Sequence, residues 1–197
     1  MTESESTKLS ERNERELHDL LFGVRRSIRY HNHRRRFFDG LDKFTKILAA
    51  VAGSAAVATA LGSHKTVTVV LAAIIAVFSS ADLIIGAGPA ARLHADLAKR
   101  FAELEATIIR IDSPTPQQIR ELVADRLMIE ADEPPILRVL DSVVYNELCK
   151  ALGFDECEMV KIGWFQSLMS QLIDLWPSKI KKQPRSADST GSQPLSA

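Results

Sequence analysis

Two long apolar segments, joined by five residues, constrain the fold of this chain more than any other feature. The first covers residues 44–61 and the second residues 67–88, and Lys65 is the one charged residue between positions 47 and 81. A helix of the first segment's length rises about 27 Å, close to the ~30 Å hydrocarbon core of a bilayer. A connection as short as residues 62–66 makes two helices antiparallel neighbours. The pattern predicts a transmembrane helical hairpin.

The rest of the chain shows helical rather than strand periodicity, so the predicted fold class is all-α. Residues 10–43 are expected to form a basic amphipathic cytoplasmic helix, and residues 89–112 a cytoplasmic stalk that continues from the second apolar segment. Residues 115–176 contain further cytoplasmic helices, while residues 1–9 and 178–197 are expected to be disordered. The stalk carries a nearly heptad apolar seam, made of Leu93, Leu97, Phe101, Leu104 and Ile108.

Local signals mark where the C-terminal helices begin and end. Thr115 can cap a helix that has Pro116 at its first position and Gln118 at the capping-box position. Gly153 is expected to stop the helix that begins at Ile136. These signals predict separate helices after the stalk.

A basic block before the first apolar segment sets the predicted orientation. From Arg25 to Lys46 there are eight Lys or Arg residues against two Asp, and the positive-inside rule places such a flank in the cytoplasm. Two crossings of the cytoplasmic (inner) membrane then leave both termini in the cytoplasm. The block could contact anionic lipid headgroups or act only as the topology signal, and the two uses are compatible. The headgroup contacts would be Arg34, Arg35, Arg36, Phe37 and Phe38.

Asp82 is the one carboxylate in the second apolar segment. A carboxylate within a span costs about 2.5–3.5 kcal/mol on insertion scales, so it usually faces a partner, a cavity or a pore. Two interpretations stay open. Asp82 either pairs with Lys43 or Lys46 of the first helix, or takes part in the passage of ions or protons.

Small residues line the first apolar segment and predict close helix contacts. Small-xxx-small faces let helix backbones approach closely in lipid. Because nearly the whole segment is small, a second face remains for another copy, and we expect a homo-oligomer. A hinge is expected where Gly86, Gly88 and Pro89 follow the second segment, with a kink at the proline. The packing face consists of Ala49, Ala52, Gly53, Ala56 and Ala60.

Several function classes find no support in the residues. No nucleophile, base and orienting group stand out together, and no phosphate-binding glycine loop or HExxH motif is present, so we expect neither enzymatic activity nor a cofactor. His31 and His33 are two residues apart and would not face one ligand on a helix, so no metal site is expected. The 25 basic and 25 acidic residues balance, which argues against a nucleic-acid partner.

Several short stretches resemble the SLATT group of bacterial two-helix membrane proteins and the prophage proteins allied to it. They are residues 30–38, 53–58, 80–83 and 93–101, with residues 129–135 and 145–148 as further similar stretches. The resemblance covers roughly residues 15–176. It implies an oligomerising effector of a bacterial conflict system that perforates the membrane when a sensor fires. A partner, or the helices after Pro116, would then supply the cytoplasmic signal.

Three functional hypotheses remain. The first is a pore-forming or membrane-perturbing effector of phage defence, with a prophage holin-like protein as its variant. The second is a membrane-anchored helical scaffold that binds a cytoplasmic protein. The third is a soluble helical bundle that buries the apolar hairpin in its own core.

Overall fold

The computed structural model describes residues 3–52, 54, 62, 65–154 and 159–174. In these ranges the chain is all-α, as the sequence predicts, and contains no strand. The helices are α1 (Glu3–Ala52), α2 (Lys65–Ile85), α3 (Ala87–Ile109), α4 (Pro116–Glu130), α5 (Arg138–Ala151) and α6 (Trp164–Met169).

Among the described residues, no helix combines the length and the apolar character that crossing a membrane requires. Much of the predicted hairpin is not part of that description, which leaves out residues 53, 55–61, 63 and 64. Several side chains of α2, including those at 81–83, are left out as well. Nearly all of the second half of the first predicted span, and residues 63 and 64 of the predicted turn, therefore lie outside the described residues.

Helix α1 extends further than the sequence indicates. It begins at Glu3, where disorder is predicted, and runs to Ala52 with no break between the basic helix and the apolar segment. Ser10 lies inside this helix, where its hydroxyl donates to the Glu14 carboxylate at 3.2 Å. Ion pairs one turn apart stabilise its exposed faces by a few tenths of a kcal/mol each. They join Glu11 to Arg15, Arg12 to Glu16, Arg35 to Asp39 and Asp42 to Lys46.

The chain divides into two compact units. The first unit consists of Met1–Arg26 and Ile111–Ala197, and the second unit consists of Ser27–Arg110. The stalk predicted from the sequence therefore belongs with the middle part of the chain rather than with the C-terminal helices.

In the first unit, aromatic and polar contacts join the start of α1 to the C-terminal helices. The Phe22 ring meets Tyr145 edge-on at 5.7 Å between centroids. Arg26 Nε lies 3.2 Å from Asp141 Oδ1, and the Asn13 amide donates to the carbonyl of Pro114 at 3.1 Å. Phe22 and Arg26 are four residues apart on α1 and therefore lie on one face of the helix.

Caps define the helix ends of the first unit. The capping box of Thr115 and Gln118 at the start of α4 is present, which confirms that prediction. Gly153, after the end of α5, has a φ of 76°, a conformation that favours glycine. The start of α5 is capped from a distance by Asp174, whose carboxylate accepts from the backbone N–H groups of Arg138 and Val139, both at 2.9 Å.

In the second unit, the C-terminal half of α1 packs antiparallel to α3. His31 contacts His94. Further along α1, Phe38 packs with Ala91 and Ala87 in a small core cluster. Residues later in α1 therefore contact residues earlier in α3, which shows that the two helices run antiparallel. Helix α2 joins the unit through the rings of Phe44 and Phe78, whose centroids are 5.7 Å apart.

The break between α2 and α3 lies at Gly86 and not at Pro89. Gly86 has a φ of 63°, in the left-handed region that glycine adopts without strain. Pro89 lies in the first turn of α3, where a missing N–H leaves no helical hydrogen bond unmade. A glycine turn therefore separates α2 from α3, and the kink expected at Pro89 is wrong because Pro89 lies in the first turn of a new helix.

Candidate functional site

A pair of buried histidines connects α1 to α3 in the second unit. His31 is 1% exposed and His94 is 3% exposed. Their Nδ1 atoms are 2.9 Å apart, a hydrogen-bond distance. The two residues are 63 positions apart in the sequence, so only the packing of the two helices brings them together.

Aromatic rings enclose the histidine pair. The Phe101 ring stacks on His31 with centroids 5.6 Å apart and an interplanar angle of 13°. The Phe38 ring stacks on His94 at 5.6 Å and 9°. Tyr30, which is itself buried, meets His31 edge-on at 5.4 Å. The pair therefore lies in an apolar layer that water does not reach.

This environment favours the neutral form of His94. Burial, and to a smaller extent the neighbouring His31 and Arg34, together lower the pKa of His94 to about 4. All three influences act against a positive charge on the ring. A hydrogen bond between two Nδ1 atoms needs one ring to donate and the other to accept, so at least one of the two rings must be neutral.

A heptad pattern explains why these histidines face inward. His31 and Phe38 are seven residues apart on α1, and Ala87, His94 and Phe101 follow the same spacing on α3. All of them are buried. Spacing by seven keeps residues on one side of a helix that packs along a partner.

The structure shifts one position of the predicted stalk seam. Leu97, Phe101, Leu104 and Ile108 are buried, but Leu93 is 43% exposed. The inward position belongs to the next residue, His94, which is not part of the predicted seam. His94 lies seven residues before the buried Phe101, and this heptad spacing is the sequence signal that predicts its inward position.

The basic block has two different sides in the structure. The guanidinium Cζ of Arg34 lies over the ring of Phe38 at 4.6 Å and beside that of Phe37 at 5.7 Å. Burial lowers the pKa of Arg34, an effect that Tyr30 opposes. Phe38 is a core residue, buried with Ala87 and Ala91, and so it does not lie at a headgroup surface as the sequence suggested. Arg35 and Arg36 are exposed.

An apolar surface covers much of α2 and the last described turns of α1. Its large side chains are between 40% and 85% exposed. On α2 the exposed apolar residues occur at neighbouring positions, such as Val69 and Val70, so they are not confined to one side of the helix. The surface includes Ile47, Val51, Val69, Val70, Ile74, Val77 and Ile84.

The remaining predicted site residues are only partly described. Asp82 lies in the last turn of α2, but its side chain falls outside the description. One of its two expected partners, Lys46, has Nζ 2.7 Å from Asp42 Oδ2. Ala49 is exposed and Ala52 ends α1, whereas Gly53, Ala56 and Ala60 lie outside the described residues.

The described part of the chain has no cluster of three or more side chains suited to a metal ion. No family model, curated protein or solved structure matches this chain. The geometry is the basis for inferring a function. It consists of a buried histidine contact within a unit that exposes a large apolar surface.

Proposed function

We propose that this chain is a bacterial inner-membrane protein that oligomerises and forms a pore or otherwise perturbs the bilayer, as an effector of phage defence or a related conflict system. The observation that carries the proposal is the apolar surface of α2 and the end of α1. Soluble monomers rarely expose large contiguous apolar patches, and such patches mark contacts with membranes or proteins.

Lipid suits this surface better than a partner that covers one side. A helix that is apolar on all faces belongs in a protein core or in a membrane. Val69, Val70 and Ala72 of α2 are all exposed although they point in different directions around the helix. The proposed crossing also includes residues 53, 55–61, 63 and 64, so it rests on the described surface together with the sequence of the whole segment.

The basic block fits the cytoplasmic edge of such an insertion. Arg35 and Arg36 are exposed and lie two to three turns before Phe44, where the exposed apolar residues begin. Each Lys or Arg near an anionic leaflet contributes about 1 kcal/mol of binding. The proposed orientation therefore has both termini in the cytoplasm, and the resemblance to SLATT proteins supports an effector role.

A membrane-anchored scaffold is the second candidate, because the first unit also exposes apolar side chains. Leu127 and Met128 on α4 and Trp164 on α6 are more than half exposed. Exposed aromatic and methionine side chains are common in protein interfaces. In this alternative the hairpin only tethers the first unit, which binds a cytoplasmic protein.

Membrane potential after induced expression tests the effector proposal. A potential-sensitive dye should report depolarisation with the wild-type chain, with or without a candidate cytoplasmic partner. Ile74→Asp and Val77→Asp should abolish it, because a carboxylate in a span costs about 2.5–3.5 kcal/mol. Met128→Asp, at an apolar position outside the hairpin that is 69% exposed against 67% for Val77, is the matched control and should still depolarise.

Unchanged potential and normal growth at high expression of the wild type, with candidate partners present, would contradict the effector function. If Met128→Asp abolished partner binding while the α2 variants remained membrane-bound and functional, the scaffold would be favoured instead.

A further inference from the structure

The His31–His94 contact occupies positions where apolar residues would serve a purely structural role. Both residues lie at buried heptad positions, between Phe101 on one side and Phe38 on the other. Buried polar groups must be hydrogen-bonded to avoid a desolvation cost, and here the two rings provide that bond for each other. A pair of leucines would need no such bond.

The contact depends on the number of protons that the two rings hold. When both rings are neutral, one Nδ1–H donates to the other Nδ1. One additional proton still leaves a donor and an acceptor. A second additional proton turns both Nδ1 atoms into donors, so the 2.9 Å contact cannot persist between two like charges.

Burial and two neighbouring residues lower the pKa of His94. The groups that act on it are His31, Arg34 and the surrounding apolar layer, and each of them disfavours protonation. Tyr30 faces His31 from the same helix. Protonation is therefore resisted while the helices are packed, and it becomes favourable when they separate and the rings meet water.

We propose that the His31–His94 pair is a proton-sensitive latch, which holds α1 against α3 at neutral pH and opens when the surroundings become acidic. This inference rests on the proposed function, because the latch would restrain α2, the helix whose apolar surface is proposed to enter the bilayer. Helix α2 is joined to the start of α3 at Gly86, next to the cluster of Phe38, Ala87 and Ala91. Separation of α1 from α3 would free α2 to rearrange in the bilayer.

The size of the effect follows from proton linkage. The pKa of His94 is about 4 in the packed state against an ordinary 6.5, so lowering the pH within this window favours the open state by up to about tenfold per pH unit. The open fraction should rise roughly a hundredfold across the window. The latch therefore responds well before His94 is fully protonated in the packed state.

The test uses the full chain in vesicles of phosphatidylethanolamine and phosphatidylglycerol. Leakage of a pH-insensitive dye and hydrogen exchange of the α3 amides, corrected for intrinsic rates, are measured at about pH 7.5 and about pH 5. For the wild type we expect both to increase by about tenfold or more at the lower pH.

Variants at the histidines test whether the pH dependence of exchange comes from the His31–His94 pair. The double variant His31→Leu/His94→Leu keeps the buried volume and removes titration, and it should lose the pH dependence of exchange. His31→Gln/His94→Gln keeps hydrogen-bonding capacity without titration and serves the same purpose if the leucine variant does not fold. His18→Gln, at an exposed histidine of the same helix, should keep the wild-type response.

The outcomes separate the latch from the proposed function. Equal exchange of α3 at both pH values, or loss of the response in His18→Gln, overturns the latch. Leakage at both pH values with unchanged exchange also overturns the latch but leaves the effector function standing. Increased exchange at low pH with no leakage supports the latch and contradicts the effector function.

Discussion

The depressed pKa of His94 makes the stability of the second unit depend on pH. A histidine that is harder to protonate in the folded state stabilises the fold above its unfolded pKa, and this contribution is lost as the pH falls. Here the loss should begin near the unfolded value of 6.5 and be complete near pH 4. Urea titrations across this range should show a falling free energy of unfolding for the wild type and a flatter profile for His31→Gln/His94→Gln. A wild-type profile as flat as that of the variant would show that the pair is not buried as described.

A second prediction concerns the contribution of Phe38 to the stability of the second unit. It is 8% exposed, packs with Ala87 and Ala91, and lies under the guanidinium of Arg34. Phe38→Ala should destabilise the second unit by about 3–5 kcal/mol, the usual cost of deleting a buried aromatic ring. Thermal unfolding in detergent would measure it.

The matched control for Phe38 is Phe44, one of the exposed aromatic residues of the same helix. Phe44→Ala should cost much less, because most of its ring is not covered in the described structure. Similar losses for the two variants, or no loss for Phe38→Ala, would contradict the core position of Phe38.

At the scale of elements, the turn between α2 and α3 depends on one glycine. At both Gly86 and Gly40 an added Cβ would meet no atom within 4 Å, but only Gly86 has a positive φ, of 63°. Gly86→Ala should destabilise by about 1–2 kcal/mol through backbone strain. Gly40→Ala, inside α1, should stabilise by up to about 1 kcal/mol because alanine is the better helix former. Urea denaturation of the two variants would compare them, and a stabilised Gly86→Ala would argue against the left-handed turn.

Element types and several helix ends could be predicted from the sequence, because they depend on local chemistry. The capping box of Thr115 and Gln118 is one case, since all its atoms come from residues three apart. The start of α1 was missed because its exposed stretch has no apolar stripe and is supported by i,i+4 ion pairs. The cap of α5 was missed because Asp174 is 36 residues away from the backbone it binds.

The histidine pair was missed for a related reason. In the sequence, His31 and His33 indicate at most a local metal motif, and His94 lies within one of the stretches that resemble SLATT proteins. Their contact depends on which face of α1 meets which face of α3, and a single sequence does not specify that pairing. Recognising that His31 and His94 each precede a phenylalanine by seven residues would have marked both as inward-facing.

At the scale of the whole molecule, the two units differ in what they expose. The second unit exposes apolar residues along α2 and the end of α1, while its histidine pair is closed to water. The first unit is held by polar caps and aromatic contacts, including Asp174 on α5 and Phe22 on Tyr145. We expect the second unit to associate with the bilayer and the first unit to remain in the aqueous phase, where a signalling partner could bind it.

Alkaline carbonate extraction of membranes from cells that express the full chain tests membrane insertion most directly. Carbonate releases proteins that are bound at the membrane surface and leaves inserted helices in the membrane pellet. The wild-type chain should remain in the pellet, and Ile74→Asp/Val77→Asp should be largely released, because each carboxylate in a span costs about 2.5–3.5 kcal/mol. Complete release of the wild-type chain would contradict insertion of the hairpin, and with it the proposed effector function.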